Sequence, residues 1–133
     1  MIYYYYSRLE INYVFDIAYA RNYTLIEIKN EFLERFRNNR QYLPLLTSEC
    51  PGWICYAEKT QGEYILPYIS QVKSPQQILG SLIKKNKDRN IYHISIQPCF
   101  DKKLEASRQD FYDEQRQQYD VDCVISTGML FEL

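Results

Sequence analysis

Glycine is scarce in this chain, with four among 133 residues. Neither G-x-G-x-x-G nor a P-loop is present, so the common glycine-rich phosphate cradles are excluded. Histidine occurs once, as His93, and no Ser-His-Asp or Cys-His-Asn set can be tied to it. There is no C-x-x-C pair, which removes zinc-ribbon and thioredoxin-like readings, and no compact ferredoxin cysteine run. No apolar run approaches the ~20 residues of a membrane-spanning helix. An excess of one charge is missing too. Sixteen Lys and Arg stand against seventeen Asp and Glu, a net charge of −1. That balance gives no footprint for nucleic acid or an acidic membrane. The start, MIYYYYSRLE, lacks the basic, apolar and small-residue succession of a secretion signal. The expected compartment is therefore cytosol or nucleus, and disulfides are not expected there.

What is present describes one globular domain. Apolar residues make up 46% and charged residues 25%, which argues against disorder. A 16.1 kDa chain can bury a real core. The fourteen tyrosines read as a coding bias, not as chemistry. No internal repeat or low-complexity linker is visible.

Along the chain, strand and helix signals alternate. Ile11 to Ile17 reads as a short strand. Thr24 reads as an N-cap with Glu27 closing a capping box. Leu25, Ile28, Phe32 and Phe36 recur at helical spacing as the buried stripe of a helix ending near Asn38 and Asn39. Leu43 to Thr47 reads as a buried strand. Pro51 suits the first turn of the next helix, with Trp53, Ile54 and Ala57 facing inward. Gln61-Gly62 interrupts it, and a short apolar stretch follows from Tyr64 to Ile69.

Ser74, Pro75 and Gln77 fit the N-cap, N1 and N3 positions of a further helix. Ile78, Leu79, Leu82 and Ile83 form its buried face, and Lys84, Lys85 and Lys87 mark its C-terminal end. Ile91 to Gln97 alternates, with Tyr92, Ile94 and Ile96 on one face. Asp101 to Asp120 is heavily charged and only weakly helical. Val121 to Ser126 reads as the last strand, with a loop opening at Thr127-Gly128. The expected class is α/β: a mostly parallel four-stranded sheet with helices on both faces.

In such sheets ligands collect beyond the carboxyl ends of the strands. Cys50 and Cys99 fall there, and Cys50 also opens a helix. Position alone leaves two readings open for them, metal ligands or part-buried thiols. Cys55 lies roughly 140° round the helix from Cys50, and Cys123 lies within a strand. Both read as core residues. His93 reads as a structural histidine.

Four segments, in order, then carry a resemblance: TSECPGW (Thr47 to Trp53), KSPQQILGSL (Lys73 to Leu82), QPCFDKKLEASRQDFY (Gln97 to Tyr112) and DVDCVISTG (Asp120 to Gly128). Together they resemble the C-terminal domain of the iron-only hydrogenase large subunit. They are most similar to its eukaryotic hydrogenase-like branch. That branch includes the nuclear prelamin A recognition factor and a related cytosolic iron–sulfur assembly factor. PGWICYAEKT, PYIS and DKKLEASR resemble that branch in particular. The resemblance spans about residues 12–133, and residues 1–11 match nothing recognised.

The resemblance implies one lobe of the hydrogenase-like fold and a 4Fe-4S cluster held by four cysteines from three motifs. Cys50 and Cys99 match two of those ligands. The other two belong to a later motif that would follow Leu133, so this chain is expected to be a truncated form with an incomplete ligand set. Ser74, Pro75 and Lys102 match pocket residues beside the family's diiron subsite. Glu31, Glu34 and Ser70 match a proton route, although both glutamates lie opposite the apolar stripe and read equally well as solvated. Glu49 stands where working hydrogenases carry a second cysteine, so hydrogen turnover is not expected.

The implied role is cytosolic and nuclear iron–sulfur protein assembly. The implied partners are assembly proteins or the second lobe, and prelamin for the nuclear member. The alternatives are a fragment of a true hydrogenase, a metal-free prelamin-binding module, or a non-functional gene fragment.

Overall fold

The computed structural model describes residues 10–85 and 91–130. Residues 1–9 and Lys87, counted above with the helix end, lie outside them. The chain opens on a long helix, α1 (Ile17–Asn38), followed by a 3-10 turn at Arg40–Tyr42. Next come α2 (Pro51–Ile65), a 3-10 turn at Leu66–Tyr68, and α3 (Pro75–Lys85). Strand β1 (Ile94–Gln97) leads into α4 (Lys102–Ala106) and a 3-10 turn at Gln109–Phe111. A two-residue hairpin, β2 (Tyr112–Asp113) and β3 (Gln118–Tyr119), precedes β4 (Cys123–Ser126) and α5 (Thr127–Leu130). No described helix is long and apolar enough to cross a membrane.

The class is α/β with a parallel sheet, as expected, but the sheet is smaller. Among the described residues β1 and β4 pair in parallel, with Ile94 opposite Cys123 and Gln97 opposite Ser126. β2 and β3 form a separate antiparallel pair. Leu43–Thr47 contributes one parallel bridge, Leu46 to Ile69, in place of a strand. Residues 11–16 have no regular structure, and Ile17 already belongs to α1. The reason is the cap. The Asp16 carboxylate accepts from the Ala18 amide at 2.8 Å, so the helix begins two turns before Thr24. Thr24 sits inside it and donates its hydroxyl to the Ala20 carbonyl at 3.2 Å. At the other end, Thr127-Gly128 opens the short helix α5 in place of a loop.

The buried stripe of α1 also differs from the expected one. Leu25, Phe32 and Phe36 are 61%, 43% and 44% exposed. The buried positions are Ala20, Thr24 and Arg35, with Ile28 and Glu31 partly covered. Arg35 faces inward because its part of α1 packs on segments that present backbone carbonyls. The apolar contact is made by Ala20 with Leu79 and Ile83 of α3, flanked by Ile78 and Ile91.

Strand β1 alternates as predicted, but its buried side is the polar one. His93, just before the strand, and Ser95 and Gln97 within it are buried. Ile94 and Ile96 are 46% and 51% exposed, so no described helix covers that face of β1.

His93 has a consequence for stability. Its Nδ1 lies 3.1 Å from the Asp120 carbonyl oxygen. Burial pushes its pKa below the ordinary 6.5, and the nearby Lys84 ammonium acts in the same direction against the opposing pull of Asp120 and Asp122. The fold thus favours neutral imidazole. Its contribution is complete above about pH 6.5 and is lost as the pH falls toward the lower folded value. Urea unfolding between pH 7.5 and 5.5 is expected to show stability falling with pH, by at most about 1.4 kcal/mol per unit. This is the chain's single histidine, so His93→Gln should flatten the slope. A flat profile in the unsubstituted chain would contradict the assignment.

Candidate iron–sulfur ligand site

Cys50 is held by the start of α2. Its backbone is extended, Pro51 occupies the first helical position, and its Sγ accepts from the Trp53 amide at 3.5 Å. Ser48 braces the turn: its hydroxyl accepts from the Cys50 amide at 3.1 Å. The sulfur therefore stands at a helix N-terminus, where first-turn amides are arranged for an anionic group. Cys50 is exposed, and the buried Pro51 and Ala57 anchor the helix behind it.

Cys99 lies in the Pro98–Asp101 turn that leaves β1 and enters α4. Its carbonyl accepts from the Lys102 amide at 3.3 Å, and its side chain is part-buried. The two turns meet at Gly52. A Cβ placed there would lie 2.5 Å from Asp101 Oδ2 and 3.8 Å from Cys50 Sγ. The Asp101 carboxylate occupies the space a side chain at Gly52 would take, so a larger residue there would push that carboxylate aside. The loop that carries Cys99 therefore lies beside the helix start that carries Cys50.

Cys55 and Cys123 are part-buried, on the body of α2 and within β4. Among the described residues, no group of three or more His, Cys, Asp and Glu side chains is placed to hold a metal ion. The donor set therefore matches an iron–sulfur cluster in kind, through two soft thiols on adjoining turns. In number it is half of a four-cysteine set.

Ser74, Pro75 and Lys102 fall in one buried neighbourhood. Ser74 caps α3, with its Oγ 3.5 Å from the Gln77 amide. The Lys102 ammonium bonds Glu105 at 3.0 Å, and that side chain is 9% exposed. Gln76 bridges the two segments. Its amide donates to the Lys102 carbonyl at 3.2 Å and to Glu105 Oε2 at 3.0 Å, and it accepts from Ser95 Oγ at 3.0 Å. Gln97 continues the chain by donating to Ser95 Oγ at 2.9 Å. Gln77 is fully buried, and among the described residues neither of its side-chain polar atoms has a partner. The sequence signal for this network is the pair of glutamines directly behind Ser74-Pro75, at the start of a helix whose next inward positions are Leu79, Gly80 and Ile83.

Of the residues matched to a proton route, Glu31 is not solvated. It accepts from Ser70 Oγ at 2.5 Å, the Gln71 amide at 3.2 Å and Arg35 at 2.7 Å. Glu34 is exposed at the rim of a cleft of about 1030 Å³ between α1 and α3. Glu49 is exposed beside Cys50.

Comparison with known proteins shows the family. The family profile for the iron only hydrogenase large subunit, C-terminal domain, matches residues 1–133. Among curated proteins, cytosolic iron-sulfur assembly component 3 of Rattus norvegicus is 52% identical over 140 residues, covering 97% of this chain and 29% of the relative. A probable cytosolic Fe-S cluster assembly factor of Nematostella vectensis is 53% identical over 135 residues, covering 92% of this chain and 30% of the relative. The chain thus spans under a third of the length of these relatives. Among solved structures, an [FeFe]-hydrogenase studied for oxygen inactivation of its H cluster superposes with a TM-score of 0.82 at 31% identity, over 98% of this chain and 35% of that one. An apo [FeFe]-hydrogenase variant from Chlamydomonas reinhardtii gives 0.81 at 33% identity, over 95% of this chain and 34% of that one. With a profile match along its whole length and relatives near half identity, this chain belongs to the family of C-terminal domains of the iron-only hydrogenase large subunit.

Proposed function

We propose that this chain supplies part of an iron–sulfur cluster site and acts in cytosolic iron–sulfur protein assembly, as its curated relatives are named to do. The observation that carries the reading is the junction at Gly52, where the helix start bearing Cys50 receives the loop bearing Cys99. Cys50 and Cys99 would hold the cluster as thiolates, and the expected type is 4Fe-4S. The remaining ligands would come from outside these 133 residues, in the second lobe of the hydrogenase-like domain. When bound, the cluster supplies one-electron chemistry or a transferable iron–sulfur unit. The chain's own part is to present two sulfurs at a fixed spacing.

Hydrogen turnover is not part of this proposal. Glu49 stands where the resemblance places the proton-delivering thiol of working hydrogenases, and the Lys102 ammonium is already engaged by Glu105. The fitting partners are other assembly proteins in the cytosol. A nuclear pool and a prelamin contact follow only from the related nuclear branch member and belong to the same proposal.

The test is anaerobic reconstitution with ferrous iron and sulfide in a protein of the relatives' length that contains these residues. Iron and acid-labile sulfide are then counted per chain, with visible and electron paramagnetic spectra recorded. Retained iron with matching sulfide after gel filtration is the expected result. A folded protein that retains neither would contradict the proposal.

A further inference from the structure

We propose that Arg35 is a positioning residue for the Cys50 sulfur, acting through Glu31 and the paired segments around Leu46 and Ser70. This deepens the cluster reading and rests on it for its purpose, but its geometry stands without metal. Arg35 is buried on the inner face of α1, 9% exposed. One guanidinium nitrogen, Nη1, donates to the carbonyls of Tyr42 at 3.2 Å and Pro67 at 3.0 Å. The other, Nη2, donates to the Ile69 carbonyl at 2.9 Å and to Glu31 at 2.7 Å. A planar fork with fixed donors can gather several carbonyls in this way, whereas a lysine ammonium is a single point.

Glu31 completes the fastening by accepting from Ser70 Oγ and the Gln71 amide. Together the two side chains clamp both ends of the Leu66–Gln71 segment and the end of the Arg40–Tyr42 turn onto α1. That segment in turn fixes the approach to the thiol. The Leu46 amide donates to the Tyr68 carbonyl at 2.8 Å, and the Ser70 amide donates to the Leu46 carbonyl at 2.7 Å. Leu46 lies four residues before Cys50 and two before Ser48, whose hydroxyl braces the Cys50 amide. The run from Arg35 to Cys50 is therefore a continuous set of hydrogen bonds and short peptide spans. Releasing Arg35 frees three carbonyls in a partly buried setting and unfastens the strand-like span that aims the sulfur.

The experiment uses the 133-residue chain without metal. Dibromobimane bridges two nearby thiols, monobromobimane labels single thiols, and peptide mapping assigns the products. In Arg35→Met the rate of the Cys50–Cys99 crosslink is expected to fall about tenfold. Single labelling of Cys50 should stay within about twofold, and amide exchange in α3 and β4 should be unchanged. Arg35→Lys should recover less than half of the lost rate. If Arg35→Met fails to fold, Ser70→Ala, which removes one bond to Glu31, is expected to slow the crosslink about threefold. An unchanged crosslink rate in a folded variant, or no Cys50–Cys99 crosslink in the unsubstituted chain, overturns the proposal. Because no iron is present, a protein that positions Cys50 through Arg35 and still retains no cluster would refute the cluster reading alone.

Discussion

Cys50→Ser or Cys99→Ser, made in a protein of the relatives' length, is expected to lower the iron retained after reconstitution, while Cys55→Ser leaves it near the unsubstituted level. Serine keeps the size and the polar tip but replaces a soft thiolate with a hard hydroxyl, and iron–sulfur clusters are held by thiolates. The effect should be large for each variant because both sulfurs belong to one ligand set. The three cysteines differ in placement, not in type. Cys50 ends the turn that caps α2, and Cys99 lies in the turn that leaves β1. Cys55 lies within α2, in neither of the two turns. Folding of each variant is checked by circular dichroism, since Cys50 also accepts the Trp53 amide. Iron and sulfide counts that are equal in all three variants would contradict the assignment of Cys50 and Cys99.

The second large effect concerns the frame. Gly80→Ala is expected to destabilise the chain by about 2–3 kcal/mol, although alanine is the better helix former by about 1 kcal/mol. A Cβ at Gly80 would overlap the Asp120 carbonyl oxygen, lie 2.8 Å from the Asp120 carbonyl carbon and lie 3.1 Å from His93 Nδ1. Two of these are backbone atoms, which a rotamer change cannot move aside. Asp120 is also tied to Lys73 at 2.6 Å, so α3 would have to lift from the segment leading into β4. Gly62→Ala is the control. Its Cβ would meet only Leu66 Cδ1 at 3.8 Å, and the substitution should be neutral or stabilising by about 0.5–1 kcal/mol. Urea unfolding of both variants checks the pair. A Gly80→Ala chain as stable as the original would show that the close packing of α3 on Asp120 does not hold.

The sequence is most legible where local chemistry decides the structure. Pro51 and Pro75 start their helices as expected, with Cys50 and Ser74 in the cap positions. Gln61 interrupts α2, with φ −136° and ψ 23°. The alternation of Ile94 and Ile96 is real, but its direction is not readable from the residues alone. Apolar side chains normally mark the inner face, and here the inner face carries Ser95 and Gln97, because Gln76 of α3 accepts from the Ser95 hydroxyl and Gln97 donates to that same hydroxyl.

Helix α1 departs from its pattern for a related reason. Leu25, Phe32 and Phe36 make a convincing stripe, but the neighbouring segment offers carbonyls that draw Arg35 inward, and Thr24 is buried with its hydroxyl on the Ala20 carbonyl of its own helix. Thr24 resembles a cap because Asp16, the actual one, follows an apolar run with the look of a strand.

Of the residues proposed for the site, Cys50 and Cys99 are the two that motif and position single out. Asp101 is not. Its role depends on a glycine 49 residues earlier, and no local pattern records that contact. Arg35 is hidden in the same way, since its three carbonyl partners lie on segments that come together only in the folded chain.

The most direct measurement is the thiol-bridging reaction of dibromobimane with the unsubstituted 133-residue chain, read by fluorescence and peptide mapping. The account predicts one dominant intramolecular product joining Cys50 to Cys99. A folded chain whose mapped products never link those two cysteines would contradict it.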